Sequence, residues 1–182
     1  MSTTNHTAQG PQHLQVFLAS PGDVAEERKQ ALQVLWDLQH DPFLRGQITL
    51  EAVAWDYPLG GVPMLAAMSA QDAVTLSRGK PSDCDIVVVI LWSRLGSPIQ
   101  EAMYAKAGGD GYYTGTEWEY EDAWQAAKAK GKPSLLLYRR TEELTLLGSA
   151  GRESILEQLE QFEKVKAFCE GHWFSKIFAI TF

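Results

Sequence analysis

This chain of 182 residues predicts an α/β domain whose parallel sheet is covered by helices on both faces. Three observations carry that prediction. The runs DIVVVILW (85–92) and PSLLLY (133–138) are apolar without alternation, as strands buried on both faces are. Between them, TGTEWEYEDAWQAAKAKG (114–131) sets Tyr120, Ala123, Trp124 and Ala127 at the i, i+3, i+4, i+7 spacing of a helix with one buried face. Strand-like and helix-like patterns also alternate along the chain, at the spacing of parallel crossover units.

Taken in order, residues 1–12 read as a disordered polar tail and 13–182 as one α/β domain. The tail lacks the apolar stretch of a secretory signal. HLQVFLA (13–19) is a strand with Val16, Phe17 and Leu18 buried. Ser20-Pro21-Gly22-Asp23 turns into a helix, with Asp23 as its expected N-cap and Glu26 three residues on. Val24, Arg28, Ala31, Leu32, Leu35 and Leu38 form its expected inward stripe. Asp41-Pro42 ends it, since proline cannot continue a helix. A second strand spans 48–55, followed by the loop DYPLGGVP (56–63) and a weaker helix over 64–77. The clearest strand, 85–92, takes the centre. A long glycine-bearing connection over 96–114 is a candidate lid. After the 114–131 helix and the 133–138 strand, a helix spans 152–171, with Ile155, Leu159, Phe162, Val165, Ala167 and Phe168 on or near its inner side. A last strand lies within HWFSKIFAITF (172–182), where an apolar end reads as a domain of a longer protein.

Bulk properties narrow the function classes. A net charge of −7 and a pI near 5.1 argue against a dedicated nucleic-acid binder, which carries a basic stripe. No basic block exceeds the pair Arg139-Arg140, so a polybasic membrane anchor is not expected. The longest uninterrupted apolar run, 86–92, is too short to span a bilayer. Cys84 and Cys169 match neither a zinc spacing nor a redox pair, which reads as reduced thiols in a cytoplasmic protein. The histidines are scattered, so no metal site and no cofactor is expected.

Parallel sheets bind ligands at the carboxyl ends of their strands. Those ends are Ser20; Trp55, Asp56 and Tyr57; Trp92, Ser93 and Arg94; and Tyr138 with Arg139. The first turn of the 116–130 helix, with Glu119, opens on the same rim. This rim combines carboxylates, aromatic rings that can stack on a flat base, and arginines suited to phosphate. It has no Walker A loop, no GxGxxG and no GxSxG, so ATPase, dehydrogenase and esterase readings lose their usual support. Glu119 itself has two readings. It is a buried-edge carboxylate available for chemistry, or the last member of a capping box Thr116-x-x-Glu119. Likewise Trp92 and Trp118 read as packing residues before stacking ones, and Arg94 and Arg139 read most simply as solvated strand ends.

VFLASPGDVAEER, WDYPLGG, SDCDIVVVILWSRLGSP and GTEWEYEDA together resemble the TIR-like domains at the N-termini of bacterial STAND/NACHT-type defence proteins, over about residues 14 to 170. The last element is also similar to the GTxxExxxA signature of nucleoside 2-deoxyribosyltransferases, with Glu119 at the catalytic glutamate position and Ala123 four residues on. The resemblance implies a flavodoxin-like parallel sheet of about five strands. It implies cleavage of the nicotinamide–ribose bond of NAD+ in antiviral defence, with self-association and a fused sensor or ATPase module switching it on. NAD+ would be the substrate, not a bound cofactor, with Ser20, Trp55, Asp56, Tyr57, Trp92, Ser93 and Arg94 around it. Counting from the tryptophan, which in TIR domains precedes the glutamate by four residues, selects Asp122 as a rival, because Trp118 adjoins Glu119. A non-catalytic interaction domain and a nucleoside N-glycosidase or deoxyribosyltransferase are the alternatives. The NAD+ reaction suits a lone carboxylate: nicotinamide leaves as a neutral base without a general acid, and the developing oxocarbenium charge needs a counter-charge.

Overall fold

A computed structural model of the chain describes residues 10–54, 79–99, 104–106, 111, 113–143, 152–171 and 177–180, the last four and Arg152 by their backbone alone. The expected 64–77 helix, the 56–63 loop and most of the N-terminal tail lie outside the described residues.

Strands β1 (Gln12–Ala19), β2 (Ile48–Val53), β3 (Ile86–Leu91) and β4 (Ser134–Arg140) form a parallel sheet in the order β2-β1-β3-β4. Ile177–Ile180 (β5) runs parallel beside β4, with Leu137 opposite Ile177. β3 is a residue shorter at each end than its apolar run, and lies in register with Phe17 opposite Val87 and Leu137 opposite Val89. Among the described residues three α-helices lie between strands: α1 (Ala25–His40), α2 (Gly115–Lys130) and α3 (Arg152–Gly171).

The pleat sorts the strand side chains into two cores. Val16 and Leu18 with Ile86 and Val88 meet Ala31, Leu32 and Leu35 of α1. Phe17, Ala19, Val87, Val89, Leu91 and Leu137 meet Tyr120 and Ala123 of α2 and Val165, Phe168 and Cys169 of α3. Helices therefore cover both faces. Two expected stripes are narrower than predicted. Leu38, three residues past Leu35 and so about 60° round the helix, is exposed, as are Leu159 and Ala167 on α3. No described helix is long and apolar enough to cross a membrane.

Polar side chains clamp the amino end of the sheet. Asp85 Oδ2 accepts from Gln15 N at 3.0 Å and Oδ1 pairs with Lys132 Nζ at 3.3 Å. The bond from Gln15 holds the Asp85 carboxyl below its ordinary range. Asp122 of α2 accepts from Ser82 N at 2.8 Å, on the short turn before β3. Cys84 and Cys169 are free, buried thiols.

Candidate functional site

β1 and β3 are sheet neighbours, but the chain leaves β1 through α1 towards β2 and leaves β3 towards α2 on the other face. In open parallel sheets such a reversal is where a ligand crevice forms, at the carboxyl ends of the two strands. Asp23 bridges it. Its Oδ2 accepts from both Ser93 N (3.0 Å) and Ser93 Oγ (2.7 Å), and its Oδ1 stands 3.5 Å from Arg94 Nε. This corrects the expected role of Asp23 as helix cap: α1 begins after a turn over Gly22–Val24, and no side chain caps it. The carboxylate joins two strands instead of ending a helix.

Arg28, on the inward stripe of α1, is only 4% exposed. Its Nη1 donates to Ser20 Oγ at 2.6 Å and to Pro21 O at 3.3 Å, which sets the turn after β1. Farther along the rim, Arg140 Nη1 reaches Glu27 of α1 at 2.9 Å, while its Nε donates to Glu142 at 2.9 Å and its Nη2 meets the same carboxylate. The bonds to Glu142, with Glu27 alongside, hold Arg140 protonated beyond its ordinary range. The Arg140 guanidinium lies 4.3 Å over the Trp92 ring, and Trp92 Nε1 donates to Glu142 O at 3.1 Å. One face of Trp92 is thus covered by a cation. Arg139 departs from a solvated strand end, because its Nε is buried without a hydrogen-bond partner among the described residues.

The N-terminus of α2 shows which carboxylate caps the helix. Thr114 is the cap: its Oγ1 accepts from Glu117 N at 3.3 Å, and Glu117 Oε2 accepts from Thr114 N at 3.2 Å. Thr114 Oγ1 also donates to Leu95 O at 2.5 Å, and Glu117 Oε1 pairs with Lys106 at 2.6 Å. The capping box is therefore Thr114-x-x-Glu117, one T-x-x-E earlier than expected. Glu119 is left out of it. It lies within the buried stripe Thr116, Glu119, Tyr120, Ala123, Ala126, at 5% exposure, and is not without a partner. Trp118 packs edge-on against Tyr104.

Of the residues expected to surround a ligand, Ser93 and Arg94 meet at Asp23, Ser20 follows the neighbouring strand and holds Arg28, and Trp92 follows β3. Glu119 occupies the buried face of the helix whose N-terminus is anchored to the Leu95 carbonyl just past β3. Trp55, Asp56 and Tyr57 lie outside the described residues. Asp122 is engaged with the turn before β3. Asp23 and Arg28 were legible only as cap and stripe; an arginine among otherwise apolar inward positions was the signal that a buried polar partner awaited it. Among the described residues no cluster of His, Cys, Asp and Glu fits a metal ion. No protein-family model matches the chain, and no curated protein matches it either.

Proposed function

We propose that the chain is a TIR-like effector domain that cleaves the nicotinamide–ribose bond of NAD+, with Glu119 as its catalytic carboxylate. One observation carries this reading. Glu119 is buried on the inward face of α2 although the capping duty that would explain a glutamate there belongs to Glu117. A carboxylate held in a water-poor site stabilises a developing oxocarbenium charge more strongly than one in bulk water.

The strand order 2-1-3-4, extended by β5, supports reading the sheet as flavodoxin-like with five strands, in which the ligand crevice sits between the first and third. Nicotinamide would leave as a neutral base while Glu119 balances the charge on the ribose, and water would then take the sugar carbon. A cytoplasmic role in bacterial antiviral defence, triggered by self-association through an attached sensor, completes the proposal. A second reading, a non-catalytic self-association domain, is favoured by the exposed apolar side chains Val34, Trp36 and Phe43 on and after α1.

The test is release of nicotinamide from NAD+ by concentrated protein, with Glu119→Gln and Asp122→Asn measured beside the wild type. Glu119→Gln should lower turnover roughly a thousandfold, about 4 kcal/mol of transition-state stabilisation. Turnover that survives Glu119→Gln and vanishes with Asp122→Asn transfers the role to Asp122. Wild-type protein that releases no base in any assembled form leaves the self-association reading.

A further inference from the structure

We infer that the crevice contains an anion subsite for the diphosphate of a nucleotide, formed by Arg94 and positioned by Gly22 and Asp23. Of the four rim arginines, Arg139 has its Nε buried, which leaves three to compare. Arg28 is buried and engaged with Ser20 and Pro21, and Arg140 is held between Glu27 and Glu142. Arg94 differs from both. Its side chain is 48% exposed and its one ion pair among the described residues, to Asp23, is a 3.5 Å contact through Nε. Among the described residues no hydrogen bond takes its fork of terminal nitrogens, and a planar fork matches two phosphate oxygens at once.

Two neighbours fix where that fork stands. Asp23 takes both donors of Ser93, so the strand end from which Arg94 projects is locked to the turn after β1. Gly22 lies directly beneath the guanidinium: a Cβ there would stand 3.0 Å from Arg94 Nη2. Gly22 does not have a positive φ, so its backbone conformation does not call for glycine. The missing side chain leaves room for the arginine head. Gly22 and Asp23 are thus positioning residues, acting on the ligand through Arg94.

The inference rests on the nucleotide reading of the crevice, but its test needs binding alone. Calorimetric titration of the 182-residue chain with ADP and with adenosine compares ligands that differ by the diphosphate. ADP should bind about tenfold more tightly or better. Arg94→Gln should erase that preference and leave adenosine affinity unchanged. Gly22→Ala should weaken ADP several-fold while the melting temperature holds, because its methyl group meets the far end of a flexible side chain and pushes the fork aside. Asp23→Asn should also weaken ADP, with Arg94 still present. Equal ADP affinity in Arg94→Gln and wild type, or no wild-type preference for ADP over adenosine, overturns the subsite. An Arg94-dependent preference in a protein that releases no nicotinamide sinks the NAD+ cleavage reading and keeps the subsite; nicotinamide release without that preference does the reverse.

Discussion

Glu117 and Glu119 stand two residues apart in one helix, and their side chains meet opposite fates. Glu117 closes the capping box and holds Lys106; Glu119 turns into the protein. Glu117→Gln keeps an acceptor for Thr114 N but loses the ion pair, so it should cost up to about 1 kcal/mol. Urea melts should register that change, and base release per folded molecule should not. Another residue-level consequence concerns Cys84. Burial, reinforced by Asp83 and Asp85, raises its thiol from 9.0 to about 11. The folded state therefore keeps a proton that the unfolded chain gives up. The resulting stability is intact below pH 9.0, is eroded as pH climbs, and is lost through about 11. Wild type should lose more stability than Cys84→Ala between neutral pH and pH 10.5 or so. Parallel losses in the two proteins would refute the assignment.

For whole elements, what the pattern revealed and what it hid can be separated physically. β3 was legible because a strand covered on both faces has no polar position to break its run, and Val87 and Val89 are fully buried. Val89→Asp should give no soluble folded protein, since a carboxylate there would be enclosed by core on an interior strand. The start of α2 was harder to place. TGTEWE contains two overlapping boxes, Thr114-x-x-Glu117 and Thr116-x-x-Glu119, and periodicity alone cannot choose between them. Contacts distant in sequence decide: Leu95 O takes the Thr114 hydroxyl and Lys106 takes Glu117. The other end was plain, with Gly131 at a φ of 72° supplying the left-handed residue that ends a helix. Thr114→Ala should cost about 1 kcal/mol in chemical denaturation, whereas Thr116→Ser should cost less. At the amino end of the sheet, Asp85 links β1, β3 and the segment before β4. Its depressed carboxyl pKa means that its contribution persists above the ordinary carboxylate range and disappears as pH falls through the folded value.

Across the whole molecule, the rim is braced where α1 reaches over the sheet to β4. Removing only one partner of the Glu27–Arg140 pair leaves a buried charge uncompensated, so Arg140→Met should cost about 3 kcal/mol in equilibrium unfolding. Adding Glu27→Gln should recover part of that loss. The members of this brace lie 113 residues apart in the chain, which is why no local pattern announced them; Ser20, Ser93 and Arg94 were legible because strand ends can be found from strand patterns. If self-association completes the site, specific turnover should rise with protein concentration, and strict proportionality over a wide range would refute that. The Asp23–Ser93 bridge has a consequence for how the chain is born. Its partners are 70 residues apart, an interval that takes a ribosome roughly 4–14 s to translate. During that time β3 is not yet there to pair with β1, and Val16, Phe17 and Leu18 lack the neighbours it supplies. A nascent chain halted before Ser93 should be sticky and protease-sensitive, and it can carry no partly working crevice.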